Sequence, residues 1–259
     1  MQDNAIVGYF HILSMSHKAK IHKAVICCGG KATRFAPISR TVPKEMLPIA
    51  DKPVIHYIMQ ELIDAGITDI LFLIGTDRGS LQHYTDEFTG KVNIYFRRVP
   101  IARGPADNIW HAKSFAGTDN FIIAYCDDVF FDGNPTQELI ETGAPALTVF
   151  EVPKEQAHNY GIYSKGKITE KPDHVSLRAE RSNPFAVVGR YLMTPQIFEY
   201  IEQEMPCELP GEICFTRQLN KIPKLYAVST AAKRFDTGTP RGLFEANKYV
   251  FECHITKNT

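Results

Sequence analysis

"IHKAVICCGG", residues 21–30, is a run of small and branched apolar residues that stops at two glycines. A buried strand feeding a turn has this form: the run is too short for a helix, and the glycines let the backbone bend. Farther on, "KPVIHYIMQELIDAG", residues 52–66, sets Val54, Ile55, Ile58, Leu62 and Ile63 on one helical face. Asp51 is the expected cap, Pro53 lies near the first turn and Gly66 is the stop. "DILFLIG", residues 69–75, reads as a second buried strand. Strand, loop, helix, strand predicts a right-handed βαβ unit on a parallel sheet. "VNIYF" at 92–96 and "NFIIAYC" at 120–126 add strands, with a helical "PADNIWHAKSF" between them. The fold class predicted is α/β, a Rossmann-like doubly wound sheet.

Beyond residue 145 the pattern changes. "PALTVFEV", "GIYSKGKITEK" and "FAVVGRYLM" read as strands on short turns or long loops, a helical "TPQIFEYIEQEM" follows, and "KLYAVST" leads to "KRFDTGTP". No internal repeat, low-complexity tract or Gly/Ser linker interrupts the chain, so one domain with a mixed sheet is expected over residues 21–259. The apolar patch "AIVGYFHIL" at 5–13 is too short to span a bilayer and lacks the flanks of a signal peptide. Residues 1–20 are therefore expected to be a frayed or accessory extension.

Composition limits the chemistry. The chain has 259 residues, with 29 Lys+Arg against 29 Asp+Glu, so no global field recruits nucleic acid or an anionic membrane. Any phosphate chemistry has to be local. The six cysteines show no Cys-x-x-Cys pair and no regular spacing, which argues against a zinc site or disulfide framework and for a reduced, cytoplasmic protein. "CCGGKATRFAPISRTVPKEMLP", residues 27–48, then stands out: two arginines and two lysines in a loop stiffened by three prolines. An anion is the natural occupant of such a loop.

"GGKATRFAPISRTVPKEMLPIADKPVIHYIMQELIDAGITDI", residues 29–70, resembles the N-terminal signature of bacterial UTP-glucose-1-phosphate uridylyltransferases, within the sugar-phosphate nucleotidyltransferases. The similarity continues in order through "RGPADNIWHAKSF", "CDDV", "HNYGIY", "TEKP", "SNPFAVVGRY", "GEICFTRQL" and "FDTG", and covers most of residues 21–250. It implies a nucleotide-binding half over about residues 21–145 and a sugar-binding half over about 146–245. It also implies nucleotidyl transfer between UTP and glucose 1-phosphate, with Mg²⁺ as cofactor, and leaves a homo-oligomer open.

By that resemblance Gly29, Gly30 and Gly104 let the backbone approach the nucleotide, and Arg34 and Lys44 meet the phosphates. Asp127, delivered by the apolar run 121–125 to a strand's C-terminal end, matches the metal-binding aspartate, and Asp236 in "FDTG" its partner. In "TEKP", Glu170 would hold sugar hydroxyls and Lys171 the sugar phosphate, while Gly161, Gly189 and Glu212 complete the pocket. Tyr160 is wall or ligand. Arg190 reads as structural, and His158 and the Cys27-Cys28 pair as structural or pocket-lining. Direct displacement needs no covalent intermediate, so no nucleophilic triad is required.

Departures from the family pattern concern the base more than the charges. Ala32 stands for a loop glycine, Val99 for a glutamine that reads the base, Ala106 for another glycine, Cys214 and Arg217 for glutamine and aspartate, and Cys126 for glycine or proline. Thymidylyl, cytidylyl or adenylyl transfer, and a non-catalytic binding module on the same fold, stay open on these grounds. Since Val99 offers no polar readout, UTP is expected to be preferred, with another triphosphate used within about two orders of magnitude.

Overall fold

The computed structural model describes residues 20–30, 32–75, 79–99, 103–143, 145–172, 183–205 and 212–255. The expected N-terminal extension thus falls almost wholly outside the described residues. β1, Lys23–Cys28, sits inside a nine-stranded sheet. A strand with neighbours on both edges and cover on both faces has no solvent side, which is why its sequence does not alternate. The hairpin β2, Pro48–Ile49, and β3, Lys52–Pro53, follows the cationic loop. β4, Asp69–Ile74, is parallel to β1, and β5, Asn93–Arg98, is parallel to β4. On the other edge of β1 lies β6, Phe121–Tyr125, also parallel.

After β6 the connections change character, as the short strand-like runs of the second half anticipate. β7, Asp128–Phe131, leaves the sheet within a turn. β8, Ala146–Glu151, β9, Gly161–Ser164, and the long β11, Phe185–Met193, run antiparallel to one another where they meet, and β11 is antiparallel to β6. β10, Lys167–Glu170, closes a hairpin on β9, and β12, Tyr226–Ser229, runs parallel to β8. β13, Lys233–Asp236, pairs with β7 as a separate ribbon, setting Asp236 opposite Asp128.

Helices cover both faces. α1, Val54–Asp64, begins with extended Pro53 at its cap; the Asp51 cap expected from the sequence does not form, and no side chain caps this end. Its Ile55, Ile58, Met59 and Leu62 are buried against Ala24, Ile26 and Phe72. Each such aliphatic contributes about 1.5–3 kcal/mol of burial. α2, Gly79–Thr85, precedes β5. The expected helix at 105–115 is two pieces, α3, Pro105–Trp110, and α4, Lys113–Ala116. α5, Pro135–Thr142, takes an Asn134 side-chain cap. α6, Gln196–Glu202, packs with α3 on the opposite face, where Phe198 stacks on Phe121 at 5.4 Å. α7, Phe215–Leu219, and α8, Pro240–Val250, complete the described helices, none of them long and apolar enough to cross a membrane.

One polar knot ties the two halves together. Arg190 on β11 is fully buried and meets Glu61 of α1 in a fork, Nε to Oε1 at 2.9 Å and Nη2 to Oε2 at 2.8 Å. Thr136 of α5 donates to the same Glu61 at 2.6 Å. Arg190 also donates to the carbonyls of Tyr125 at 3.3 Å and Asp128 at 2.9 Å, so it grips both ends of the β6–β7 turn. The structural reading of Arg190 holds.

Candidate active site

The β6–β7 turn presents Asp127 at the C-terminal end of a sheet strand, where open α/β sheets place ligands. Asp236 reaches the same point from the end of β13. Both carboxylates close on Gly238: a Cβ there would lie 2.7 Å from Asp127 Oδ2 and 3.0 Å from Asp236 Oδ1. Thr237 anchors the approach by donating its amide, at 2.8 Å, and its hydroxyl, at 2.9 Å, to the Asp127 carbonyl. Burial, reinforced by the Asp128 and Asp127 charges and opposed by Arg234, holds the Asp236 carboxyl above its usual pKa.

Two convergent hard oxygen donors that repel each other suit a small divalent cation taking its remaining ligands from water and phosphate. Among the described residues no larger group of His, Cys, Asp or Glu has metal-holding form. The donor set therefore fits Mg²⁺ better than a metal held in an all-protein cage.

Lys44 comes to this point from the cationic loop. It opens the short 3₁₀ turn Lys44–Met46 after Pro43, and its ammonium forms an ion pair with Asp127 while only 13% of the side chain is exposed. Burial alone would lower its pKa, but Cys126 and Asp127 beside it outweigh that and keep the lysine charged. Gly30 lies under the same ammonium, since a Cβ there would sit 3.5 Å from Lys44 Nζ. Arg34, on the 3₁₀ turn Thr33–Phe35, is exposed. Ala32 takes the left-handed conformation, φ 49°, that a glycine adopts more readily. Cys27 is pushed well above the usual thiol range by burial, then by Cys126 and Asp127, which disfavours its thiolate.

Beside Asp127, its neighbour Asp128 has a different task. It is buried, accepts the Gly189 amide at 2.9 Å and pairs with Arg234, whose Nε donates to it at 2.6 Å. A Cβ on Gly189 would lie 2.6 Å from Asp128 Oδ2 and 2.8 Å from Tyr125 Cβ, so that glycine makes room for the carboxylate turn, within a stretch where β11 breaks register with β8. Arg234 lies over the rings of both Phe150, at 5.0 Å, and Tyr160, at 5.2 Å, and donates to the Tyr160 hydroxyl at 3.3 Å. Tyr160 thus packs on Arg234, and Arg234, which motif matching passed over, lies beside Asp128 and Asp236. Its signal in the sequence is its place two residues before Asp236, on the same face of a strand.

The β9–β10 hairpin gathers the residues expected for the sugar. Gly161 is paired with Glu170, whose Oε2 would lie 3.2 Å from a Cβ on the glycine. Thr216 of α7 donates to the same Oε2 at 2.7 Å, a partner the sequence did not signal. Lys171 follows with φ 43° and an exposed side chain, its amide held by the Tyr160 carbonyl at 3.0 Å. The exposed Glu212 packs against Gly104 instead of the hairpin: a Cβ on Gly104, φ 100°, would lie 2.3 Å from Glu212 Cγ. Val99 is buried at 3% exposure in the core and Ala106 is fully buried, so neither offers a polar group to a ligand.

A doubly wound sheet with a glycine-ended first strand, a part-buried lysine and two convergent carboxylates at its strand ends defines an α/β protein with a charged crevice at the edge where such sheets bind ligands. Residues 23–252 match the nucleotidyl transferase family. The chain belongs to that family. It is 32% identical to UTP-glucose-1-phosphate uridylyltransferase 2 of Streptococcus pyogenes serotype M3, over 88% of this chain and 89% of the relative. The Bacillus subtilis UTP-glucose-1-phosphate uridylyltransferase is 31% identical, over 86% of this chain and 88% of its own. Among solved structures, a UDP-glucose pyrophosphorylase complexed with UDP-glucose superposes with a TM-score of 0.77 at 27% identity, covering 90% of this chain and 99% of that one. A UTP-bound enzyme from Acinetobacter baumannii gives 0.76 at 26% identity, covering 91% and 95%.

Proposed function

We propose that the protein transfers the uridylyl group of UTP to glucose 1-phosphate, forming UDP-glucose and releasing pyrophosphate. The observation that carries the reading is the convergence of Lys44, from the cationic loop, with Asp127 and Asp236 at the ends of β6 and β13. The names of the relatives agree with it.

In this reading a phosphate oxygen of glucose 1-phosphate forms the new bond to the α-phosphorus, and the bond to the β-phosphate oxygen breaks with its electrons leaving on pyrophosphate. No proton has to move, because the attacking oxygen is already an anion. The protein's work is alignment of two anions and neutralisation of charge. Lys44 and Arg34 serve the triphosphate, Gly29 and Gly30 admit it, and Glu170, Lys171 and Gly161 hold the sugar phosphate. Mg²⁺, held by Asp127 and Asp236, would supply positive charge to the phosphate oxygens. The nucleotide half, residues 21–145, and the sugar half, residues 146–245, meet at Asp127. The five cysteines among the described residues are free, in keeping with a reducing cytoplasm.

The test is pyrophosphate release by the purified chain with UTP, glucose 1-phosphate and Mg²⁺. UDP-glucose and pyrophosphate in equal amounts are expected. Nucleotide binding with no turnover across the common triphosphates would reject the reading in favour of a binding module.

A further inference from the structure

A polar side chain that the chemistry above does not use lies against the end of β1. Asn108 sits one turn into α3, its amide donating to the Gly104 carbonyl at 3.1 Å. Its carboxamide lies over Gly29: a Cβ on that glycine would be 3.2 Å from Nδ2, 3.7 Å from Cγ and 3.8 Å from Oδ1. The residue is 8% exposed, and its Oδ1 is closed off from solvent with no hydrogen-bond partner among the described residues. Asparagine is a poor helix former, and a buried orphan acceptor is unfavourable. Neighbouring Ala106 and Ile109 belong to the apolar core, where an alanine or leucine would serve packing better. The carboxamide therefore awaits a partner that is not part of the chain.

Chemistry narrows what that partner is. Phosphate is a poor fit, because the amide is neutral and the adjacent Asp107, 5% exposed, is an anion engaged with the Arg103 amide at 2.7 Å. A carboxamide matches instead a flat edge that carries a donor beside an acceptor, such as the N3–H and C4=O of uracil. Asn108 is also placed for it: its carboxamide faces Gly29, and its backbone amide ties its helical turn to Gly104, two glycines expected to line the nucleotide. We propose that Asn108 reads the base edge of the nucleoside triphosphate, supplying the polar contact that Val99 lacks. Rotation about the last side-chain torsion turns either the amide or the carbonyl outward, so the orphan oxygen gains a partner when the base arrives.

This inference rests on the uridylyl-transfer reading, and its test separates the two. Specificity constants are measured for UTP and for N3-methyl-UTP, which lacks the N3–H donor, with the wild type and with Asn108→Ala. The wild type is expected to favour UTP. Asn108→Ala is expected to lose about three- to tenfold or more on UTP, mainly through KM, and to lose less on the methylated analogue, while KM for glucose 1-phosphate holds. Equal loss on both nucleotides, or none on either, would overturn the role in base reading while leaving uridylyl transfer intact. Should Asn108→Ala fold poorly, Asn108→Asp keeps the volume, removes the donors and must narrow the same UTP preference. If the wild type turns over no triphosphate, both readings fall.

Discussion

Asp127 is held from three sides: Lys44 pairs its carboxylate, Thr237 binds its carbonyl and Gly238 leaves the space its Oδ2 occupies. Asp127→Asn keeps the shape and removes one charge from the proposed cation site. Turnover is expected to fall about 100-fold or more, the range for loss of one aimed electrostatic group, with a higher Mg²⁺ requirement. Normal turnover with unchanged Mg²⁺ dependence would remove Asp127 from the metal. Lys171 differs in being exposed, with its backbone amide held by Tyr160. Lys171→Ala is expected to raise KM for glucose 1-phosphate about 10- to 100-fold with little change for UTP, since one substrate alone loses a charge-assisted bond. Initial-rate kinetics in both substrates check it, and equal damage to the two constants counts against the assignment.

The carboxylate turn depends on β11 as much as on its own strand. Gly189 leaves Asp128 its place, and Arg190 grips the carbonyls on either side of Asp127. Gly189→Ala is expected to cost about 1–3 kcal/mol by overpacking against Asp128 and Tyr125, read as a lower urea midpoint at constant m. Arg190→Met leaves Glu61 buried and unpaired, and about 3–5 kcal/mol of stability should go with it. Adding Glu61→Leu to Arg190→Met should restore most of that stability but not turnover, because the turn then has no clamp. Recovery of turnover along with stability would reduce Arg190 to a packing residue.

Across the molecule, the site is a place where stability has been given up for charge. Asp127, Asp128 and Asp236 crowd one end of the sheet, with Lys44 and Arg234 paired to Asp127 and Asp128 to offset the repulsion. Asp236→Asn is expected to raise the melting point without ligand by the equivalent of about 0.5–2 kcal/mol, the usual return for relieving a functional site. The same change should shrink the further rise that UTP with Mg²⁺ brings to the wild type, because binding free energy adds to the folded state alone. Differential scanning fluorimetry with and without Mg²⁺ and UTP decides it. A lower ligand-free melting point would mean that Asp236 is a structural carboxylate.

The strands, the βαβ start and the mixed second half were legible along the chain, because each rests on local pattern: unbroken apolar runs at 24–28 and 70–74 and glycines after a strand. Lys44, Asp127 and Asp236 were singled out by the family resemblance, which passed over Arg234. The break of the helix at 105–115 and the absence of an Asp51 cap were not legible, since they turn on packing against other elements. Nor did the linear order distinguish the tasks of Asp127 and Asp128, adjacent residues on opposite sides of a turn, one facing Lys44 and the other buried against Gly189 and Arg234. Only the tertiary structure turned Gly104 toward Glu212, brought Thr216 to Glu170 and laid Asn108 on Gly29. Those contacts join segments far apart in sequence. Side-chain type and local spacing settle what a segment can do, and burial and partners, which long-range packing alone creates, settle which of those things it does.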